Sequence, residues 1–226
     1  MRILYINPNA TRAMTDGIVA VARDAVPEAE ILGWTNSDGP PAIQGAADGA
    51  AALPGLLAML PAAKQAGADV IVIACADDTG LAEMRAAAHC PVIGIGQAAY
   101  TLAALSGWRF SVVTTLAVSV PVIDDNIRAL GFAPYCAGVR ATGISVLEVD
   151  AASSSTVARL AQEIVRAAQD DHVQSVVLGC AGMAPLVPRL YNANVTVRLL
   201  DGVRGSAVLA AALGKLGRDA HAECEV

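Results

Sequence analysis

Two cysteines stand where a thiol could do acid–base work. Cys75 opens "CADDTG" (75–80) and Cys180 opens "CAGMAP" (180–185), each directly after an apolar run, "DVIVIA" (69–74) and "QSVVLG" (174–179). A free thiol has a pKa of about 8.5, so little of it is thiolate at neutral pH unless the site stabilises the anion. Unpaired N–H groups where a helix follows, near Thr79 and near Met183, are one such stabiliser, and the same donors suit a developing enolate oxygen. Inverting a carbon next to a carbonyl needs a proton removed on one face and another delivered on the opposite face. Two opposed groups suit that task, one starting as thiolate and the other as thiol. The chemistry requires no metal or organic cofactor.

The elements that must position these thiols follow a regular order. "RILYI" (2–6), "EILGW" (30–34), "DVIVIA" (69–74) and "PVIGI" (91–95) each precede a helix-like, alanine-rich stretch. This is the alternation of a parallel sheet covered on both faces. The order then recurs: "RFSVVTT" (109–115), "GISVLEV" (143–149), "QSVVLG" (174–179) and "VTVRLL" (195–200) lead into helix-like 118–130, 154–169, 183–191 and 203–216. Cys75 stands 73 positions after Arg2, and Cys180 stands 71 after Arg109. The thiols therefore fall in register, as expected of a duplicated α/β chain with a seam near Gly107; the period of any regular α/β chain is the alternative, and it does not explain that register. The expected fold is two pseudo-symmetric parallel-sheet α/β domains with the active site in the cleft between them.

In open parallel sheets, ligands bind at the carboxyl ends of the strands. The candidate loops are 7–11, 39–45, 75–80, 114–119, 180–185 and 201–205. If the halves face each other about an approximate two-fold, Cys75 and Cys180 confront each other across one cleft.

Composition narrows the partners. The chain has 226 residues, 55% hydrophobic and 16% charged, with a net charge of -6, a balance that favours a compact fold over disorder. Without a dense Lys/Arg run it is expected to bind a small-molecule substrate, with no nucleic acid and no membrane as partner. "GAAALPGLLAMLPAA" is broken by Pro54 and Pro61, and no apolar run reaches bilayer length. The N-terminus lacks a signal-peptide pattern, so a cytoplasmic location is expected. There the five cysteines (75, 90, 136, 180, 224), without CxxC spacing, are expected to be reduced and not to bind zinc.

Several ordered motifs carry a resemblance. "INPNATRAMTDGI", "GPPAIQGAADG", "CADDTGL", "VIGIGQAAYTLAALSGWRFSVVTTL" and "VVLGCAGMA" together resemble the hydantoin racemase family of the aspartate/glutamate racemase superfamily, which includes allantoin racemases. The resemblance runs from Arg2 to about Met183. It implies a cofactor-independent racemase of 5-substituted hydantoins or allantoin, acting as a homo-oligomer with Cys75 and Cys180 as the catalytic pair. A related isomerase or amino-acid racemase is the alternative within the superfamily. Implied substrate contacts are Asn7 and Asn9, Ile43 and Gly45, Ala76, Asp78 and Thr79 beside the first cysteine, Thr114 and Thr115, and Ala181, Gly182 and Met183 beside the second. The superfamily's last helix usually returns to the first domain, which implies one domain of 1–98 with about 206–226 and another of 99–205. The family pattern tends to read Pro-Ser-Ile-Glu-Gly where this chain has Ala42 and Gln44. It also tends to have an aromatic where Ala76 stands and Asp-Pro-Gly where "DTG" (78–80) stands. These departures leave the cysteine pair intact and fall on the loops that would touch substrate.

Other readings have less behind them. Cys90 and Cys136 read as small core residues, and Cys224 as core or an exposed tail residue. His89, His172 and His221 lack the spacing of metal ligands, and His172 precedes its strand at the end away from Cys180, which argues against a Cys-His hydrolase. "GIGQAA" (94–99) reads G-x-G-x-x-A between a strand and a helix, as in nucleotide-binding oxidoreductases, but no acidic residue follows about 20 positions on. A non-catalytic small-ligand-binding protein on the same two-lobed plan is the remaining class. For Asp77, Asp78, Asp124 and Asp125 the expected role is capping at helix starts, with Asp78 also a loop-orienting candidate.

Overall fold

The computed structural model describes residues 1–222 of the chain, so Cys224 lies outside the described residues. Strand and helix alternate in the first half as β1 (Arg2–Asn7), α1 (Arg12–Ala25), β2 (Glu30–Thr35), α2 (Ala46–Ala58), α3 (Leu60–Gln65), β3 (Val70–Ile73), α4 (Leu81–Ala87), β4 (Val92–Gly94) and α5 (Ile95–Leu105). The second half continues with β5 (Phe110–Thr114), α6 (Val120–Ala129), β6 (Cys136–Ala141), α7 (Val146–Ala151), α8 (Ser154–Asp170), β7 (Ser175–Gly179), α9 (Val187–Asn192), β8 (Arg198–Leu200) and α10 (Gly202–Ala222). Short 3-10 turns, Ala117–Ser119 and Ala181–Leu186, precede α6 and α9.

The two halves are copies in topology. One sheet has the order β2-β1-β3-β4 and the other β6-β5-β7-β8, the same order when strands are counted within each half. Every pairing is parallel. The inner strands β1, β3, β5 and β7 are almost wholly buried, which is why they read as continuous apolar runs. Helices cover both faces of the sheets. In α8, Val157, Leu160, Ala161, Ile164 and Ala167 recur at helical spacing and are buried, each large aliphatic contributing roughly 1.5–3 kcal/mol.

One apolar core cluster includes Ile3, Tyr5 and Val72 of the first half together with Val113, Leu160 and Leu178 of the second. α5 joins the halves directly, with Tyr100 stacked on Phe110 of β5 at 5.4 Å between ring centroids. α10 lies against α1, α5 and β3, and the Tyr5 hydroxyl donates to the Val203 carbonyl at 3.1 Å.

One expected strand is absent. "GISVLEV" (143–149) holds the start of α7, and the strand beside β5 is β6, Cys136–Ala141. Ser145 and Glu148 form a reciprocal capping box, Glu148 N–H donating to Ser145 Oγ and Ser145 N–H to Glu148 Oε2, and this outweighs the β-branched composition. β6 is an edge strand, half-buried along its length, so it carries no apolar run to betray it. The helix expected over 183–191 is a 3-10 turn followed by α9, with Pro188 in α9's first turn.

Candidate active site

The two cysteines occupy equivalent strand ends. β3 ends at Ile73, Ala74 N–H still bonds to the Ile6 carbonyl at 2.9 Å, and Cys75 follows. β7 ends at Gly179, and Cys180 continues in extended conformation into the 3-10 turn. Both line one cavity, with Asn9 and Met14, Ile43, Ala74, Ala76, Asp77, Thr115, Ser119, Val146, Gly179 and Ala181 as the rest of its wall. The cavity measures about 20 Å³, room for a water molecule but far below the ~300–1,000 Å³ of ligand pockets. The loops are therefore closed, and a ring-sized ligand requires them to part. Asp77 also borders an open groove of about 490 Å³ between α2, α4 and α6.

The closed arrangement spans both halves. From the second half, the Asn126 amide donates to the Asp77 carbonyl, and Val146 N–H donates to Gln44 Oε1 at 3.3 Å. Gly45 takes a φ of 99° and packs against the Val118 carbonyl, so a side chain there would be both strained and crowded.

Desolvation governs the titratable groups. Burial pushes the Cys75 thiol well above its ordinary range and the Asp77 charge adds to this, while the Thr79 hydroxyl and the Asp77 N–H pull it back. Cys180 is pushed up to about 12, by burial first; the Gly182 and Met183 N–H groups oppose, and the charges of Asp77 and Asp150 add. The donors expected near Met183 are thus present, yet burial outweighs them in the closed state. Burial also raises Asp77 to about 7, against the Gly45 N–H and the Ser119 hydroxyl. Among the described residues, Asp77 Oδ2 is buried without a hydrogen-bond partner.

The residues implied by the family pattern divide by position. Cys75, Cys180, Asn9, Ile43, Ala76, Thr115 and Ala181 reach the cavity wall. Asn7 lies behind Asn9, its Nδ2 donating to Asn9 Oδ1 at 3.0 Å and to Thr15 Oγ1 at 3.0 Å. Thr114 donates its hydroxyl to the Gly179 carbonyl at 2.8 Å and ties β5 to β7. Gly45, Asp78 and Thr79 border the neighbouring groove, and Gly182 and Met183 present their N–H groups to Cys180. Asp78 accepts from the Gly96 and Gln97 N–H groups at 2.9 and 2.7 Å, capping α5 from another loop. Asp124 and Asp125 sit within α6 and pair with Arg128, so helix capping does not describe them.

Six wall residues were not among the expected contacts, two of which, Ala74 and Gly179, simply precede the cysteines at the strand ends. Val146 was hidden by reading 143–149 as a strand. Met14 belongs to the 14, 18, 22 stripe by which α1 buries its inner face, and that spacing was its signal. Ser119 closes the candidate loop 114–119. Asp77, expected from the sequence to cap a helix, caps none among the described residues. Loop 201–205 stays off the wall: Asp201 Oδ1 accepts from Val203 N–H at 2.9 Å and starts α10 instead.

The rival motifs have structural work of their own. In "GIGQAA" the two N–H groups that would receive a pyrophosphate oxygen are held by Asp78. A Cβ on Gly94 or Gly96 would collide with that carboxylate, so the glycines serve close loop packing. No histidine lines the cysteine cavity among the described residues, and they contain no cluster of potential metal ligands. No described helix is long and apolar enough to cross a membrane.

The model for the family described as "Asp/Glu/Hydantoin racemase" matches residues 3–210. The chain belongs to that family. It is 39% identical to a hydantoin racemase of Rhizobium meliloti over 94% of this chain and 88% of the relative. An allantoin racemase structure from Klebsiella pneumoniae superposes with a TM-score of 0.90 at 36% identity, covering 96% of this chain and 89% of that one. Glutamate racemase RacE1 from Bacillus anthracis, at 17% identity and TM-score 0.70 over 95% of this chain and 82% of its own, shares the fold. These relatives support the racemase class read from the sequence.

Proposed function

We propose that this racemase inverts the stereocentre beside a carbonyl in a 5-substituted hydantoin or in allantoin, using Cys75 and Cys180 from opposite faces and no cofactor. The observation that carries the reading is that both sulfurs, from equivalent ends of β3 and β7, line a single cavity. One cysteine, as thiolate, takes the proton from the carbon next to the carbonyl. The C–H electron pair becomes the enolate π bond and charge moves to oxygen. The other cysteine, as thiol, delivers its proton to the opposite face of the same carbon, leaving the two sulfurs with exchanged states. Asn9 Oδ1 is held by Asn7 Nδ2 and Thr11 N–H, while its Nδ2 meets the weakly accepting Met14 sulfur at 3.3 Å, so a fixed amide keeps a donor available for a developing oxyanion. The hydantoin and allantoin racemase activities of the relatives support the substrate class.

The test is deuterium wash-in from heavy water at the stereocentre, followed together with optical rotation. The native chain is expected to incorporate deuterium as it inverts. Cys75→Ser and Cys180→Ser are each expected to lose inversion by about 10²-fold or more. Full racemisation by both variants would overturn the mechanism.

A further inference from the structure

Among the described residues, Asp77 is the one carboxyl on the wall of the cysteine cavity. Its residue is 94% buried, and its charge acts on both Cys75 and Cys180. The Gly45 N–H and the Ser119 hydroxyl approach it, but no Lys, Arg or His is among the groups acting on it. Oδ2 has no partner at all. A buried carboxyl oxygen left this way costs free energy unless something supplies a donor, and among the described residues no donor reaches Oδ2 in hydrogen-bonding geometry. Ala76, between Cys75 and Asp77 on the same wall, carries only a methyl group, so once the loops part no large side chain of this loop stands between a ligand and the carboxyl.

We propose that Asp77 is a specificity-determining residue that accepts, through Oδ2, a hydrogen bond from a substrate N–H adjacent to the stereocentre. This rests on the racemase reading above. A hydantoin ring suits it chemically, because the carbon to be inverted lies between a carbonyl and a ring N–H. Binding through that N–H fixes the ring in its plane, so that its two faces turn to the two sulfurs. It also completes the carboxyl's hydrogen bonding only when the right ligand is present, which makes Asp77 a selector against rings carrying an alkyl group on that nitrogen.

The experiment compares a 5-substituted hydantoin with its N1-methyl derivative in the native chain, Asp77→Asn and Asp77→Ala. It measures kcat/KM by polarimetry and binding by calorimetry, with circular dichroism as the check on folding. On the N–H substrate, Asp77→Ala is expected to lose about tenfold or more in kcat/KM, with Asp77→Asn, which keeps an acceptor at the same volume, in between. On the N-methyl compound the three proteins should converge. If the variants fall in parallel on both compounds, or the N–H to N-methyl ratio stays unchanged, Asp77 acts on structure alone and the proposal is overturned. Should the native chain bind hydantoin without racemising it, the functional reading fails while the binding ratio still decides Asp77. Absence of both binding and turnover overturns both.

Discussion

The two cysteine loops leave matching strands of duplicated sheets, yet they are anchored by different means. In the first half, the loop after Cys75 reaches sideways: Asp78 caps α5 through the N–H groups of Gly96 and Gln97. In the second half, the corresponding helix start is served locally, by Asp201 on Val203 N–H of α10. The loop after Cys180 is therefore free of that task and winds into a 3-10 turn, with Met183 N–H on the Cys180 carbonyl at 3.0 Å. Electrostatics follow anchoring. Cys75 shares its loop with two carboxyls and meets one backbone N–H, that of Asp77, whereas Cys180 meets two, those of Gly182 and Met183, and feels Asp77 and Asp150 from other loops. The matching topology brings both cysteines to one cavity wall, and their surroundings there are unequal.

The largest effect expected from breaking this arrangement belongs to Asp78. Asp78→Ala leaves two N–H groups at the start of α5 without partners beneath a packed loop, at a cost of about 2–4 kcal/mol. Asp201→Ala removes a local cap and is expected to cost less, roughly 0.5–2 kcal/mol. Urea midpoints of the two variants measure the difference. Equal losses would mean that anchoring from a distant loop has no special weight.

A smaller effect is expected in the pH dependence of stability, and it sharpens the electrostatic side. Asp77 is raised from 3.8 to about 7 by burial, so the folded chain holds a proton that the unfolded chain has released. Stability from this group is therefore full below about pH 4 and declines as pH rises toward 7. Asp77→Asn should flatten that part of a thermal-unfolding profile taken from pH 4 to 8. An unchanged slope would show that the carboxylate finds a charge partner in solution.

Much of this comparison was legible in the sequence, for physical reasons that also explain the gaps. Inner parallel strands are buried on both faces, so "VIVI" and "SVVLG" announced themselves, and their registered cysteines followed. β6 escaped because an edge strand of small and polar residues has no apolar signature. Its place was taken in the reading by "GISVLEV", whose Ser145 and Glu148 at capping-box spacing were the overlooked signal for a helix. Asp77 and Asp78 were adjacent and looked alike. Only packing separates them, sending one carboxyl to the α5 N-terminus and leaving the other on the cavity wall. Val146 reaches that wall only because α7 exists.

The smallest effect concerns how the halves part. Gln44 Oε1 accepts from Val146 N–H, one of the donors left without an intrahelical partner in the first turn of α7. Gln44→Ala returns that N–H to solvent in the open state and leaves it unpaired in the closed one. The closed state is then weakened by roughly 0.5–1.5 kcal/mol, equivalent to a rise of about 2- to 10-fold in the open population. Alkylation by iodoacetamide, followed peptide by peptide at fixed pH, reads this directly, because Cys180 is buried and Cys75 only partly exposed until the loops separate. Cys75 and Cys180 should speed up by the same factor if the 43–45 loop and α7 open the cavity as one movement. Acceleration of Cys75 alone would mean that the first-half loop lifts while the second-half wall stays shut, and the two loops would then differ in motion as well as in charge.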